Sequence, residues 1–310
     1  MRKKPAFTMI ELVMVIVVLG IVASIGAEII VKLYDNYIKT RAINRLQAQS
    51  DLVLNEIAQR LQFRIKDSII ARDTDSAGTP APHYVSLTDA NDSYQILEWI
   101  GYDNESFRGV NNPGWSGFID LNNATTNKAL GAHGKLKTIG SDLNTTDQII
   151  GALSNGKVRL DNSVAANRPA LIFNGQSNFD VSQYGWNGTK GEYTYKVSYT
   201  SGANDVLNFD QNTSALDEIF EHYYLAWSAY SVVPEGSNSD DFNLTLHYNY
   251  QPWEDEKYDD TNTSKAILCE HVSTFKFTKI GDTIRLKLCI RDGNQSGNYD
   301  FAFCKEKVVY

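Results

Sequence analysis

One carboxylate stands at the head of an apolar run. Glu11 follows Phe7-Thr8-Met9-Ile10 and precedes an apolar stretch that reaches from Leu12 to Ala27. A charge inside a membrane-length helix is expensive and usually has a partner. Glu11 therefore points to a subunit that packs helix against helix. Elsewhere the reactive side chains are scattered. His83, His133, His222, His247 and His271 form no HExxH pair, no two cysteines stand at metal-ligand spacing, and no GxSxG occurs. The expectation is a protein that is not an enzyme.

Three further patterns carry chemistry of other kinds. Cys289 and Cys304 flank a turn-rich stretch, and the segments 284–290 and 299–309 alternate apolar and polar residues. That pattern reads as a hairpin with the two cysteines facing each other, a candidate disulfide. Cys269, on the preceding segment, competes for either partner. Within the same turn, Asp292, Asn294, Ser296, Gly297, Asn298 and Asp300 occupy the first, third, fifth, sixth, seventh and ninth places of an EF-hand-type loop. They are a candidate calcium site, although Phe303 stands where the loop's last carboxylate belongs. A plain polar turn competes with it, and no other cofactor is expected. Finally, nine Asn-x-Ser/Thr tripeptides occur, and six have Asp two residues upstream: Asn91, Asn144, Asn212, Asn243, Asn262 and Asn294. With 37 acidic residues in 310, about one such coincidence is expected. The six are glycosylation candidates and should lie on exposed, flexible backbone.

These groups need elements to position them. Residues 7–31 are long enough, as a helix, to cross a bilayer. Arg2, Lys3 and Lys4 precede them and should keep the N-terminus in the cytoplasm. A secretory signal peptide or a plain anchor is the competing reading. Its cleavage site would fall near Val22-Ala23-Ser24 or Ala27. Against it, the basic head abuts the apolar segment and Glu11 interrupts it. No Gly or Pro follows between Ala27 and Arg72. Ile43, Leu46, Ser50, Val53, Leu54, Ile57 and Leu61 fall on one helical face. Residues 32–70 are thus expected to continue the same helix as an amphipathic half that lies on a core.

At this point Lys3-Lys4-Pro5-Ala6-Phe7-Thr8-Met9-Ile10-Glu11-Leu12 resembles the class III leader of type IV pilins and type II secretion pseudopilins. The resemblance covers about 25 residues and implies more than the pattern alone. A prepilin peptidase would cut between Ala6 and Phe7 and methylate the new amine, releasing residues 1–6. The family usually has Gly where Ala6 stands. Glu11 would be the fifth mature residue, whose implied role is to neutralise the terminal amine of a neighbouring subunit. Glu28 occupies a position where major pilins often carry a kinking Pro, so the likeness leans to a minor pilin or pseudopilin. The presence of Glu11 speaks against a K-type subunit. The C-terminal half looks more like a J-type pseudopilin or a W-type minor pilin. A disulfide at Cys289 and Cys304 would resemble the C-terminal loop of many pilins. The implied partners are other pilins or pseudopilins, the peptidase and an inner-membrane assembly platform.

The rest, 71–310, is expected to be a β-rich periplasmic domain, its C-terminal third an antiparallel meander with strands near 242–250, 266–278, 283–290 and 299–309. Earlier strands are expected at 94–100, 170–173 and 192–199, and a short helix to Phe220 followed by a strand. Residues 73–92 read as a loop. Residues 101–167, dense in Asn, Gly, Asp and Thr, read as an irregular insertion. The fold class is α+β, a long helix packed on an antiparallel sheet. The chain carries a formal charge of -8, with its cations concentrated on the helix. No nucleic-acid surface is expected on the outer domain. The alternative function is a single-span anchored protein that binds glycan or peptide without any filament.

Overall fold

The structure is a computed structural model. It describes residues 8–73, 83–107, 113–127, 134–175, 180–187, 192–209, 219–292 and 301–310. Helix α1 (Met9–Gln62) runs unbroken for 54 residues, a length of ~80 Å. A 3₁₀ turn (Lys66–Ser68) leads to strands β1 (Ile70–Asp73), β2 (Tyr84–Ser86) and β3 (Tyr94–Gly101). The middle adds α2 (Asn104–Phe107), β4 (Lys135–Lys137), α3 (Leu143–Leu153), β5 (Ala170–Phe173), β6 (Tyr195–Ser198), β7 (Val206–Phe209) and β8 (Tyr223–Ala226). The meander follows as β9 (Ser228–Asn238), β10 (Asp241–Tyr250), β11 (Ser264–Ile280), β12 (Thr283–Arg291) and β13 (Ala302–Val309).

The α+β layout is the expected one. An eight-stranded antiparallel sheet runs in the order β13-β12-β11-β10-β9-β3-β1-β2. Onto one face α1 lays Leu46, Val53, Leu54, Ile57, Ala58 and Leu61, where they meet Leu97, Val232, Leu246, Leu286 and Leu288. Ile43 shares that stripe in the sequence but stays 42% exposed, because the helix leaves the sheet below Leu46. The helix also ends earlier than residue 70. Phe63 accepts from the Tyr102 amide, and the Ile65 amide donates to Ile100 O. The chain turns into sheet pairing there, and the β-branched Ile65, Ile69 and Ile70 suit that change.

The insertion is more ordered than its composition suggests. It supplies α3 and β4, and β4 joins four strands from the segments that follow in a second, five-stranded sheet in the order β4-β7-β6-β5-β8. α3 covers this sheet, placing Leu143 and Ile150 beside Val197, Leu207 and Leu225. The segment 73–92 likewise contains a short strand, β2. Ile219 and Phe220 are not helical; the rest of the expected short helix lies outside the described residues. A third apolar cluster draws on both sheets, with Ile70, Ile100, Ala170, Ile172, Ala229 and Tyr250 among its members. β3 and β5 are therefore buried on both faces. This explains the unbroken apolar runs Ile96-Leu97 and Ala170-Leu171-Ile172-Phe173.

The edge strand β13 is tied to the helix by polar pairs. Lys305 pairs with Asp51, and Lys307 Nζ donates to Asn55 Oδ1 at 3.0 Å. Arg64 is 5% exposed and closes the far end. Its guanidinium donates to Leu61 O, Tyr310 O and Asp282 O.

Candidate functional site

The N-terminal half of α1 is bare. No residue of its apolar window is buried, and its mean hydropathy of 2.7 makes it long and apolar enough to cross a membrane once. Leu12, Ile16, Leu19 and Ile30 are all more than half exposed. This surface has no partner within the described chain, so a lipid phase or other helices must cover it.

The first turn shows how Glu11 is held. Thr8 is the N-cap, and the Glu11 amide donates to its Oγ1 at 3.4 Å. The Glu11 carboxylate reaches back: Oε2 accepts from the Thr8 amide at 3.2 Å and from the Thr8 hydroxyl at 3.0 Å. This reciprocal capping box satisfies two of the donors that a helix start leaves orphaned. Its signature, Thr-x-x-Glu before an apolar run, is present in the sequence. Among the described residues Glu11 has no cationic partner. The cap holds the carboxylate locally on neutral donors, which a stronger, charged donor could replace. Further along the bare helix, Lys32 pairs with Glu28 at 2.7 Å.

The remaining sequence candidates fall in several places. Ala6 and Phe7 lie outside the described residues. Cys289 and Cys304 are directly paired across β12 and β13 and joined as a disulfide. Cys269 is a buried free thiol that accepts from Gln49 Nε2 at 3.3 Å; burial pushes its pKa up to about 11. Of the calcium candidates only Asp292 is described, and its carboxylate is paired with Arg45 at 2.5 Å; Asn294, Ser296, Asn298 and Asp300 lie outside the described residues.

The six acceptor asparagines do not share one environment. Asn91 and Asn262 are exposed on connections, as expected of acceptors. Asn144 sits in the first turn of α3, where its Oδ1 accepts from Tyr199 OH at 3.0 Å. Asn243 lies within β10, paired with Glu235 of β9. These two correct the expectation that all six map to loops: helix and ladder hydrogen bonds fix their backbones. Asn212 and Asn294 lie outside the described residues.

A family model described as the prokaryotic N-terminal methylation motif matches residues 1–27. The segment that holds Thr8 and Glu11 is thus similar to an N-terminal methylation motif of the prepilin type. No curated protein and no solved structure matches the chain.

Proposed function

We propose that this chain is a minor pilin or pseudopilin, made as a precursor and assembled into a type IV pilus or type II secretion filament. The observation that carries this reading is the methylation motif at residues 1–27, continuous with a helix whose membrane-length half is uncovered. Prepilin peptidase removes residues 1–6 and leaves a methylated amine on Phe7. Before assembly the helix anchors the subunit in the inner membrane, and the outer domain stands in the periplasm.

The Glu11 cap then has a second use. A carboxylate in hydrocarbon is costly, and Thr8 lowers that cost within one chain. In a filament the Phe7 ammonium of a neighbour replaces the neutral Thr8 donors with a charge-assisted one, and attraction grows as water and lipid headgroups are excluded. Helix packing offsets the loss of lipid contact on extraction. The work comes from the assembly machinery, because this chain supplies none. The capped, unkinked helix with Glu28 and Glu11 supports a minor subunit of J or W type over a major pilin or a K-type subunit.

Fractionation of Glu11→Ala tests the role. The variant should be cleaved normally yet remain in the inner-membrane fraction. Incorporation into filaments at the wild-type level would refute the part given to Glu11.

A further inference from the structure

The sheet sorts the three cysteines of the meander onto opposite faces. Leu286, Leu288 and Ile290 of β12 join the core beneath α1, so Cys289 points the other way. On β13, Lys305 and Lys307 reach α1, so Cys304 also turns away from the helix, and it is exposed. The Cys289–Cys304 disulfide therefore lies on the outer face. Cys269 of β11 lies on the inner one. It belongs to the core beneath α1, is 3% exposed and accepts from Gln49 Nε2 of the helix. Its thiol donates to Glu270 O at 3.2 Å. In the folded chain the sheet stands between Cys269 and the other two sulfurs.

The unfolded chain has no such barrier. Cys269 is about 20 residues from Cys289 and about 35 from Cys304, against 15 for the native pair. Closure odds fall only as the −3/2 power of loop length, so oxidation of the unfolded chain gives the native pair in about half of the molecules. Synthesis makes the bias worse. Cys269 and Cys289 both precede Cys304, which follows Cys289 by 15 residues, a delay of ~1–3 s.

Each wrong pair leaves one thiol free, and that thiol can repair it. In a Cys269–Cys289 chain the Cys304 thiolate attacks Cys289 Sγ. The Cys289–Cys304 bond forms, the Cys269–Cys289 bond breaks, and Cys269 Sγ leaves with the electron pair and takes up a proton. In a Cys269–Cys304 chain the Cys289 thiolate attacks Cys304 Sγ with the same leaving group. The exchange consumes no oxidant or reductant. Only the first bond needs one, a two-electron disulfide oxidant, which the proposed periplasmic location supplies.

Folding then withdraws the leaving group. Once Cys269 is packed under α1, burial pushes its thiol up to about 11. At pH 8 the thiolate that would attack back is about two hundredfold scarcer than that of an ordinary cysteine. We propose that this chain corrects its own disulfide: intramolecular exchange among Cys269, Cys289 and Cys304 runs until Cys269 is buried against α1, and that burial traps the Cys289–Cys304 bond. The exchange does not depend on the filament reading, since it uses no residue of the leader or of the bare helix.

The test oxidises the reduced full chain in detergent and urea with one equivalent of dithiodipyridine, then dilutes the urea at pH 8 without added thiol. Non-reducing peptide maps after acid quenching read the pairs. The native pair should rise from about half of the oxidised chains in urea to nearly all of them after dilution. Chains whose free thiol is alkylated with iodoacetamide before dilution should stay near half. Cys269→Ser, oxidised and diluted in parallel, should form the native pair already in urea. Its far-UV spectrum shows that the conditions refold the chain, which separates failed exchange from failed folding. In the folded wild type, Cys269 should react with dithiodipyridine about two hundredfold more slowly than in urea. A native share that stays near half until glutathione is added overturns the proposal. So does an equal rise in the alkylated chains, a native share near unity already in urea, or a folded Cys269 that reacts as fast as in urea.

Discussion

Glu11 and Thr8 cap each other: the carboxylate accepts from the Thr8 amide and hydroxyl, and the Thr8 oxygen accepts from the Glu11 amide. The charge that is costly in a membrane is therefore lodged at a helix N-terminus, where the macrodipole also favours an anion. On the proposed function, Glu11 needs to survive in lipid and then change partners. A short, local, neutral cap allows both.

The Cys289–Cys304 bond closes a loop of sequence separation 15 and holds the edge strand β13 in register. Loop closure of that size contributes about 3 kcal/mol. The Cys289→Ser/Cys304→Ser chain should unfold at lower denaturant by about that amount, while the wild type should show one non-reduced peptide linking the two residues. A non-reduced map that joins Cys269 to either partner would contradict the pairing.

Asp103 is fully buried, and its carboxylate accepts from the Ser106 amide and hydroxyl. Burial pushes its pKa up to about 7. Unfolded aspartate titrates near 3.9, so between about pH 4 and 7 the folded chain holds a proton that the unfolded chain releases. Stability contributed by the neutral form is complete below about pH 4 and is lost as pH rises to about 7, a change of a few kcal/mol at most. Asp103→Asn should remove that slope and be the more stable chain at pH 8. Parallel urea midpoints for the two chains across pH 4–8 would disprove it.

Glu98 is 1% exposed and joins Arg72 at 2.7 Å and the Tyr250 hydroxyl at 2.8 Å. Arg72 also lies over the rings of Tyr84 and Tyr258. Glu98→Ala leaves a buried guanidinium without its anion and should cost about 3–5 kcal/mol. Tyr250→Phe removes one hydrogen bond to a charged group and should cost about 1.5–3 kcal/mol. Thermal melts of the two variants check the order.

Expression in a host with bacterial N-glycosylation should modify Asn91 and Asn262 and spare Asn144 and Asn243. Glycopeptide mass spectrometry reads this directly. Occupancy at Asn243, inside a paired strand, would contradict the role given to backbone freedom.

Much of this was legible in the sequence. An apolar run and a 3.6-residue stripe marked α1, and alternation with polar turns marked β9 to β13. The place where α1 stops was not legible, since neither Gly nor Pro marks Phe63 and the signal is a long-range bond to Tyr102. α3 was hidden because half of its buried positions are polar: Leu143 and Ile150 alternate with Thr146 and Asp147. Asp147 is inside because it accepts from the Leu160 and Asp161 amides and pairs with Arg159, partners that sequence spacing does not reveal. The second core escaped notice for a similar reason. Trp115, Ile119 and Leu136 are single apolar residues in polar stretches, and only folding gathers them. At the candidate site, Glu11 was plain from its charge, whereas its partner Thr8 required attention to helix capping.

The central claim concerns the amine that Glu11 is to meet, and the mature N-terminus tests it most directly. Mass spectrometry of the N-terminal peptide from membranes of a host that carries a prepilin peptidase should give a chain that begins at N-methylated Phe7. A chain that keeps Met1, or one cut beyond Ala27, would contradict the account.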